Sequence, residues 1–168
     1  MNSLKIGVFG PGGRMGMDIV KQLKGFNSLK LNFLCEKKGH DIVGKKISGI
    51  VVEDDVKKLV SSSEVIIDFT VPSATLNLMK IMNEIRKKPA LVTGTTGFSK
   101  YEEKKFNSLS DGMTILRSFN MSFGVNLLKK IVKVTSKNIG HASDIEIVEI
   151  HHNQKRDTPS GTSLSLAS

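Results

Sequence analysis

An α/β fold built on a doubly wound parallel sheet is the fold class this sequence predicts, and three observations predict it. Apolar strand patterns alternate with amphipathic helical patterns through about residue 117. A glycine-rich turn joins the first strand pattern directly to a helix. The run Val65–Phe69 is mostly apolar and partly β-branched, as befits a buried parallel strand. Past residue 117 a second unit begins, so the expected domains are 1–117 and 118–168, the latter the start of an α+β domain.

Taken in order, Leu4 to Phe9 reads as a buried strand. A helix follows from Arg14 to Lys24, with Met15, Ile19 and Leu23 four apart on one face and Val20 beside them. Leu29 to Cys35 is a second strand, with Leu29, Leu31 and Phe33 alternating. Residues 39–53 carry glycines and read as a loop with short strands. Asp54 to Val60 is a short helix, punctuated by Ser61, Ser62 and Ser63. Val65 to Phe69 is the third strand, and Pro72 stands where proline is tolerated at a helix start. That helix runs to about Arg86, turning Leu78, Met82 and Ile85 inward, with Arg86, Lys87 and Lys88 at the negative end of its dipole. Ala90 to Thr93 is a fourth strand, Ser99 with Glu102 a capping box for the next helix, and Met113 to Leu116 a fifth strand. Asn126 to Ile139 is an amphipathic helix ended by Gly140. Ile145 to Ile150 reads as a strong strand.

Composition narrows the function classes. The 168 residues suit one domain or one domain and the start of another, and 39% apolar residues suffice for a core. No stretch reaches the ~20 apolar residues that span a bilayer. The N-terminus enters a strand without a signal-peptide pattern, and the single cysteine, Cys35, suits a reducing compartment. The expectation is a soluble cytoplasmic protein without a membrane partner. The net charge of +9 raises nucleic acid as a partner, but 21 Lys against 4 Arg, dispersed in pairs, do not form a reading surface. Base readout favours Arg, and stacking on single strands favours aromatics, of which there are nine and no Trp. Nucleic acid is therefore not an expected partner.

The glycine turn reads Gly10-Pro11-Gly12-Gly13-Arg14-Met15-Gly16. Close approach of backbone to a pyrophosphate, with helix-start N–H groups aimed at it, requires such a strand–turn–helix. The turn is a variant of the Gly-x-Gly-x-x-Gly fingerprint and gives the fold its Rossmann-like character. Glu36 follows the second strand 20 residues past Gly16, the spacing expected of a ribose ligand. A surface glutamate closing a strand fits the same position. Lys37 and Lys38 come next. A carboxylate suits a free 2′-hydroxyl and a cation a 2′-phosphate, so NADPH and NADH both remain open, as does an ordinary lysine pair. Three loops should line the same crevice: Asp68-Phe69-Thr70, Gly94-Thr95-Thr96-Gly97-Phe98, and Ser118-Phe119-Asn120-Met121. Taken alone, these are also ordinary turns.

Near the other end, Glu149 to Thr162 contains His151, His152 and Lys155, a potential proton donor near neutral pH and a fixed cation. Ser160, Gly161 and Thr162 add hydroxyls and helix-start N–H groups suited to a carboxylate. A basic surface loop has the same composition. Adjacent histidines are not normal zinc spacing and Cys35 is far upstream, so no metal is expected.

Together the Gly-x-x-Gly-Arg-Met-Gly turn, Asp-Phe-Thr, Gly-Thr-Thr-Gly-Phe, Asn-x-Ser-x-Gly-Val-Asn at 120–126 and His-His-x-x-Lys-x-Asp-x-Pro-Ser-Gly-Thr resemble the 4-hydroxy-tetrahydrodipicolinate (dihydrodipicolinate) reductase family. The resemblance runs in order over the whole chain. It implies that a hydride from NADPH or NADH reduces a ring carbon–carbon double bond of a cyclic dicarboxylate in lysine and diaminopimelate synthesis. It also implies that His151 is the proton donor and Lys155 a second acid and cation. His152, Ser160, Gly161 and Thr162 would hold the substrate. Gly10, Pro11, Gly12, Gly13, Arg14, Met15, Glu36, Lys37, Gly94, Thr95, Thr96, Ser118, Phe119, Asn120 and Met121 would hold the cofactor. Lys37 replaces an arginine common in relatives, which weakens a forked phosphate contact, and Met121 replaces a usual phenylalanine. Family members are longer, with a second domain of open mixed sheet that also forms a homotetramer. The expectation is a truncated chain that lacks this support and exposes a strand edge at 145–150, without a secure tetramer. The alternative to a reductase is a nucleotide-binding fragment without turnover.

Overall fold

The computed structural model describes residues 3–85, 88–151, 153 and 159–167. The chain divides into two compact units, Met1–Ser118 and Phe119–Ser168.

The first unit is a single sheet with helices on both faces. Its strands are β1 (Leu4–Phe9), β2 (Leu29–Cys35), β3 (Lys46–Ile47), β4 (Ile50–Glu53), β5 (Val65–Asp68), β6 (Ala90–Thr93) and β7 (Ile115–Arg117). They lie in the order β3-β4-β2-β1-β5-β6-β7, every pairing parallel except β3 with β4. With the small β3 hairpin set aside, this is the 3-2-1-4-5-6 order of a doubly wound sheet, and its direction of growth reverses beside β1. The carboxyl ends are level. Cys35 pairs with Phe9, Phe9 with Asp68, Asp68 with Thr93 and Thr93 with Arg117, so one row of residues marks where five strands end.

Strand alternation sorts the core into two layers. On one face, Phe9, Phe33, Cys35, Ile66 and Leu91 meet α2 (Val56–Ser62), α3 (Pro72–Glu84) and α4 (Lys100–Leu109) through Leu59, Leu76, Met79, Met82 and Phe106. On the other, Ile6, Val8, Leu34 and Val52 meet Val20 and Leu23, from α1 (Arg14–Gln22) and the 3-10 turn after it. No helix crosses between β2 and β4. Ile42, Val43 and Ile47 from that irregular connection cover the same layer instead.

Several boundaries differ from expectation for local reasons. Helix α1 gives way to a 3-10 turn at Leu23–Gly25. Helix α2 begins at Val56 because Asp55 accepts the Lys58 amide at 3.0 Å as an N-cap. It then continues through the serines, where the Ser62 hydroxyl is satisfied by Lys58 O at 2.6 Å. Strand β7 starts two residues later than Met113. Helix α3 ends at Glu84; Arg86 and Lys87, placed in its last turn by the sequence, lie outside the described residues. The capping box at Ser99 and Glu102 is present, with both of its bonds formed.

The second unit holds α5 (Phe123–Ile139), a 3-10 turn at Gly140–Ala142 and α6 (Gly161–Ala167). Helix α5 starts earlier than Asn126 because Ser122 caps it, accepting the Val125 amide at 3.4 Å. The expected strand at 145–150 is not formed. Among the described residues of this unit no strand stands beside it, and a strand-forming segment without a pairing partner has no ladder. Val148 is 82% and Ile150 91% exposed, while α5 buries none of its residues. Among the described residues, no helix is long and apolar enough to cross a membrane.

Candidate functional site

The glycine turn leaves β1 beside the point where strand order reverses, the usual ligand crevice of such sheets. Gly10 adopts φ +81°, a left-handed conformation that glycine takes at no steric cost, while its amide donates to Cys35 O at 2.9 Å. Gly16 lets α1 lie directly on the turn. A Cβ there would stand 2.0 Å from Gly10 O and 2.9 Å from Pro11 Cα. Gly13 is the N-cap of α1 and contributes no side-chain bond, so the leading N–H groups of the helix are left for another acceptor. Gly12, Gly13, Arg14 and Met15 are exposed at this mouth and Pro11 is buried beneath it.

Glu36 reaches the same turn from the end of β2. One carboxylate oxygen accepts the Gly12 amide at 2.9 Å and the other the Lys37 amide at 2.9 Å. It is buried, whereas Lys37 is exposed. His40, which the sequence did not single out, lays its ring against Gly12 and holds Nδ1 2.8 Å from Asp41 Oδ1. A histidine four residues beyond Glu36 carries no local pattern by which it could have been chosen.

The loops after β5 and β6, and Ser118 after β7, come to this end as well. The Phe69 ring fills the space where Gly94 has no side chain, and the Gly94 amide donates to Asp68 O at 3.0 Å. Thr95 is buried, Thr96 is exposed, and the Ser118 amide donates to Thr93 O at 3.1 Å. Arg117 braces the loop after β6. Its guanidinium lies 4.3 Å from the Phe98 ring centre and 4.2 Å from that of Phe106, and it forks onto Glu103 with two 2.7 Å bonds. Those bonds hold the Glu103 carboxyl below its ordinary range.

Phe119, Asn120 and Met121 belong to the second unit, where Phe119 and Met121 are exposed. Asn120 Oδ1 accepts the Ser122 amide at 2.8 Å, and Asn126 Nδ2 donates to Asn120 O and Ser122 O at 3.2 and 2.9 Å. The Asn-x-Ser-x-Gly-Val-Asn segment is thus the capping structure of α5. Asn120 Nδ2 also donates to Thr162 Oγ1 at 3.3 Å, bringing two of the sequence's candidates together.

Glu149, given no role by the sequence, gathers the polar groups at the other end of this unit. It accepts the Ser160 amide at 2.8 Å and the Ser163 hydroxyl at 2.7 Å, and pairs with His151 Nε2 at 2.8 Å. Because an ionised carboxylate only accepts, Nε2 carries the proton in this pair. Hydrogen bonds from Ser160, His151 and Ser163 hold the Glu149 carboxyl well below its ordinary range. Gly161 and Thr162 open α6 beside Ser160. His152 and Lys155 lie outside the described residues. Among the described residues no group of three or more His, Cys, Asp or Glu is gathered as a metal site requires.

A glycine turn on a helix start, at the reversal of a 3-2-1-4-5-6 sheet, defines the class: a Rossmann-type α/β domain. Residues 4–121 match the family described as dihydrodipicolinate reductase, N-terminus, and residues 124–168 match dihydrodipicolinate reductase, C-terminus. The chain belongs to the dihydrodipicolinate reductase family. It is 39% identical over 166 residues to the 4-hydroxy-tetrahydrodipicolinate reductase of Pelagibacter ubique (strain HTCC1062), covering 99% of this chain and 62% of that relative. It therefore spans less than two thirds of that protein's length. In structure it is similar to a dipicolinate-bound dihydrodipicolinate reductase from Paenisporosarcina sp. TG-14, with a TM-score of 0.74 at 22% identity over 98% of this chain and 64% of the other. A biliverdin reductase from Synechocystis sp. PCC 6803, in complex with biliverdin and NADP+, shares the fold at a TM-score of 0.60 and 12% identity, over 84% and 44% of the two chains.

Proposed function

We propose that this chain carries the cofactor domain and the proton-donor segment of an NAD(P)H-dependent reductase acting on 4-hydroxy-tetrahydrodipicolinate, giving tetrahydrodipicolinate in lysine and diaminopimelate synthesis. The observation that carries the reading is the Glu36 carboxylate seated on Gly12, where a ribose hydroxyl would meet the turn that holds the pyrophosphate. The uncapped start of α1 suits an anion, and the backbone cradle that Gly16 keeps open suits a dinucleotide. Family membership supports the substrate, and the dipicolinate on the structural relative supports a small aromatic or cyclic dicarboxylate.

In this reading the nicotinamide supplies the hydride. Residues 1–117 bind it: Gly10, Pro11, Gly12, Gly13, Arg14 and Met15 at the phosphates, Glu36 and Lys37 at the adenosine ribose, and Gly94, Thr95 and Thr96 at the nicotinamide end. Ser118, Phe119, Asn120 and Met121 follow at the junction with residues 118–168, the start of the substrate domain. His151, its Nε2–H held by Glu149, donates the proton from Nδ1, with Lys155 as a second acid and cation. His152, Ser160, Gly161 and Thr162 hold the substrate carboxylates. The compartment is the cytoplasm. Purified protein of 168 residues should oxidise NADPH or NADH in the presence of freshly generated substrate, followed at 340 nm. A rate no higher than that of His151→Ala would refute turnover.

One observation favours the second reading, a nucleotide-binding fragment without turnover. Leu127, Leu128, Ile131 and Val134 all stay exposed along α5, so the unit bearing His151 has little core of its own. NAD(P)H binding without oxidation would select this reading.

A further inference from the structure

Asp68 ends β5 in the row of residues where the strands terminate, and it is fully buried. Five bonds converge on its carboxylate. Oδ1 accepts the Thr70 amide at 3.1 Å and the Thr70 hydroxyl at 2.6 Å. Oδ2 accepts the hydroxyls of Thr75, Thr93 and Thr95 at 2.6, 2.9 and 3.2 Å. Thr95 Oγ1 in turn stands 3.1 Å from the Thr70 amide nitrogen, whose N–H it shares with Asp68, and 3.1 Å from Thr75 Oγ1, which closes the network.

These donors come from separate pieces of chain. Thr70 lies in the loop after β5, Thr75 in the first turns of α3, Thr93 at the end of β6, and Thr95 in the loop after it. The network also reaches the glycine turn, because the Thr70 methyl packs so closely on Gly10 that a Cβ there would stand 2.6 Å from it. A carboxylate taken out of water costs far more than an apolar side chain of the same volume unless its bonds are all made. Here they are made to loops at the ligand end of the sheet. Phe9 and Ile66, beside it in the strands, show that apolar packing serves the layer below.

We propose that Asp68 is a positioning residue for the cofactor. It fixes the loops after β5 and β6 against the glycine turn, so that Gly94 to Thr96 stand where the nicotinamide binds. The inference rests on the NAD(P)H reading above. Its signature is selectivity along the cofactor: the loop after β6 serves the nicotinamide end, whereas the network meets the glycine turn through the Thr70 methyl on Gly10 and Glu36 bonds the Gly12 and Lys37 amides instead.

The test is a set of titrations of the purified chain and its variants with NADH and NADPH, each beside the ADP-ribose or 2′-phospho-ADP-ribose that lacks only the nicotinamide. Asp68→Asn presents an NH2 to hydroxyls that had been donating to oxygen, so it disturbs up to three bonds at once. Binding of the reduced dinucleotide should weaken about tenfold or more, while the truncated ligand changes by less than about twofold. Thr93→Val removes one buried hydroxyl at nearly constant shape and should give about a threefold loss in the same direction, with Thr93→Ser restoring it. Far-UV circular dichroism identifies any variant that fails to fold; in that event the Thr93 pair decides. Equal weakening of both ligands, or no weakening of either, overturns the positioning role while leaving the cofactor reading intact. Failure of the unsubstituted chain to bind either ligand overturns the cofactor reading, and this inference with it.

Discussion

Replacing Gly16 by alanine tests the geometry of the turn most sharply, because the added atom has nowhere to go. Its Cβ would lie 2.0 Å from Gly10 O, 2.8 Å from Gly10 C and 2.9 Å from Pro11 Cα. All three are backbone atoms of the turn, and Gly10 is already committed to Cys35 by its amide. Relief requires α1 to move away from the turn, lifting Val20 from the core layer it shares with Ile6, Val8 and Leu34. Overpacking against a side chain costs ~1–3 kcal/mol, and a clash with backbone belongs at the upper end of that range. With a urea m-value of ~2 kcal/mol/M, a loss of ~3 kcal/mol lowers the unfolding midpoint by roughly 1.5 M. Far-UV circular dichroism in urea reads it, and NAD(P)H affinity should fall in parallel. Gly25→Ala is the control, since nothing lies within 4 Å of its added atom. It should leave stability within about 1 kcal/mol of the parent or raise it slightly. A Gly16→Ala midpoint equal to that of Gly25→Ala would refute the close approach of α1 to the turn.

Three further outcomes are expected. Cys35 is fully buried, and burial with the nearby Glu36 carboxylate pushes its thiol up to about 12. Alkylation by iodoacetamide at pH 8 should therefore be slow in the native protein and fast in urea. The sign also predicts that its stabilising contribution is complete below the unfolded thiol's value of ~8.5 and lost as pH rises through about 12. Ser99→Ala removes the capping box of α4 and should cost ~1 kcal/mol in urea unfolding, without altering NAD(P)H affinity. Arg117→Ala removes a guanidinium stacked on Phe98 and Phe106 and forked onto Glu103, and should cost ~2 kcal/mol. Restoration of stability by Arg117→Lys would argue against the planar stack as the cause.

The sheet was legible because its central strands are largely buried, so Val65 to Ile67 and Ala90 to Val92 read as short apolar runs. The position of Glu36 beside the turn was legible for a different reason: parallel β1 and β2 end level, which fixes the spacing from the turn to the next strand's end. Ile145 to Ile150 misled because a β-branched pattern says nothing of whether a neighbour exists to pair with it. The Asp68 cluster was invisible for the converse reason. Thr70, Thr75, Thr93 and Thr95 form no local pattern and meet only through the parallel register of β5 with β6. His40 meets Gly12, and Glu149 meets Ser160 and Ser163, only in three dimensions.

The claim on which the rest depends is that a nicotinamide dinucleotide binds at the glycine turn with its adenosine ribose on Glu36. Titration of NADH and NADPH against the native chain and Glu36→Ala, read by nicotinamide fluorescence, tests it directly. Saturable binding to the native chain is expected, with Glu36→Ala weakening NADH by about tenfold, the loss of one charge-assisted bond, and weakening NADPH less. Absence of saturable binding, or equal affinities in the two proteins for both cofactors, would contradict the account.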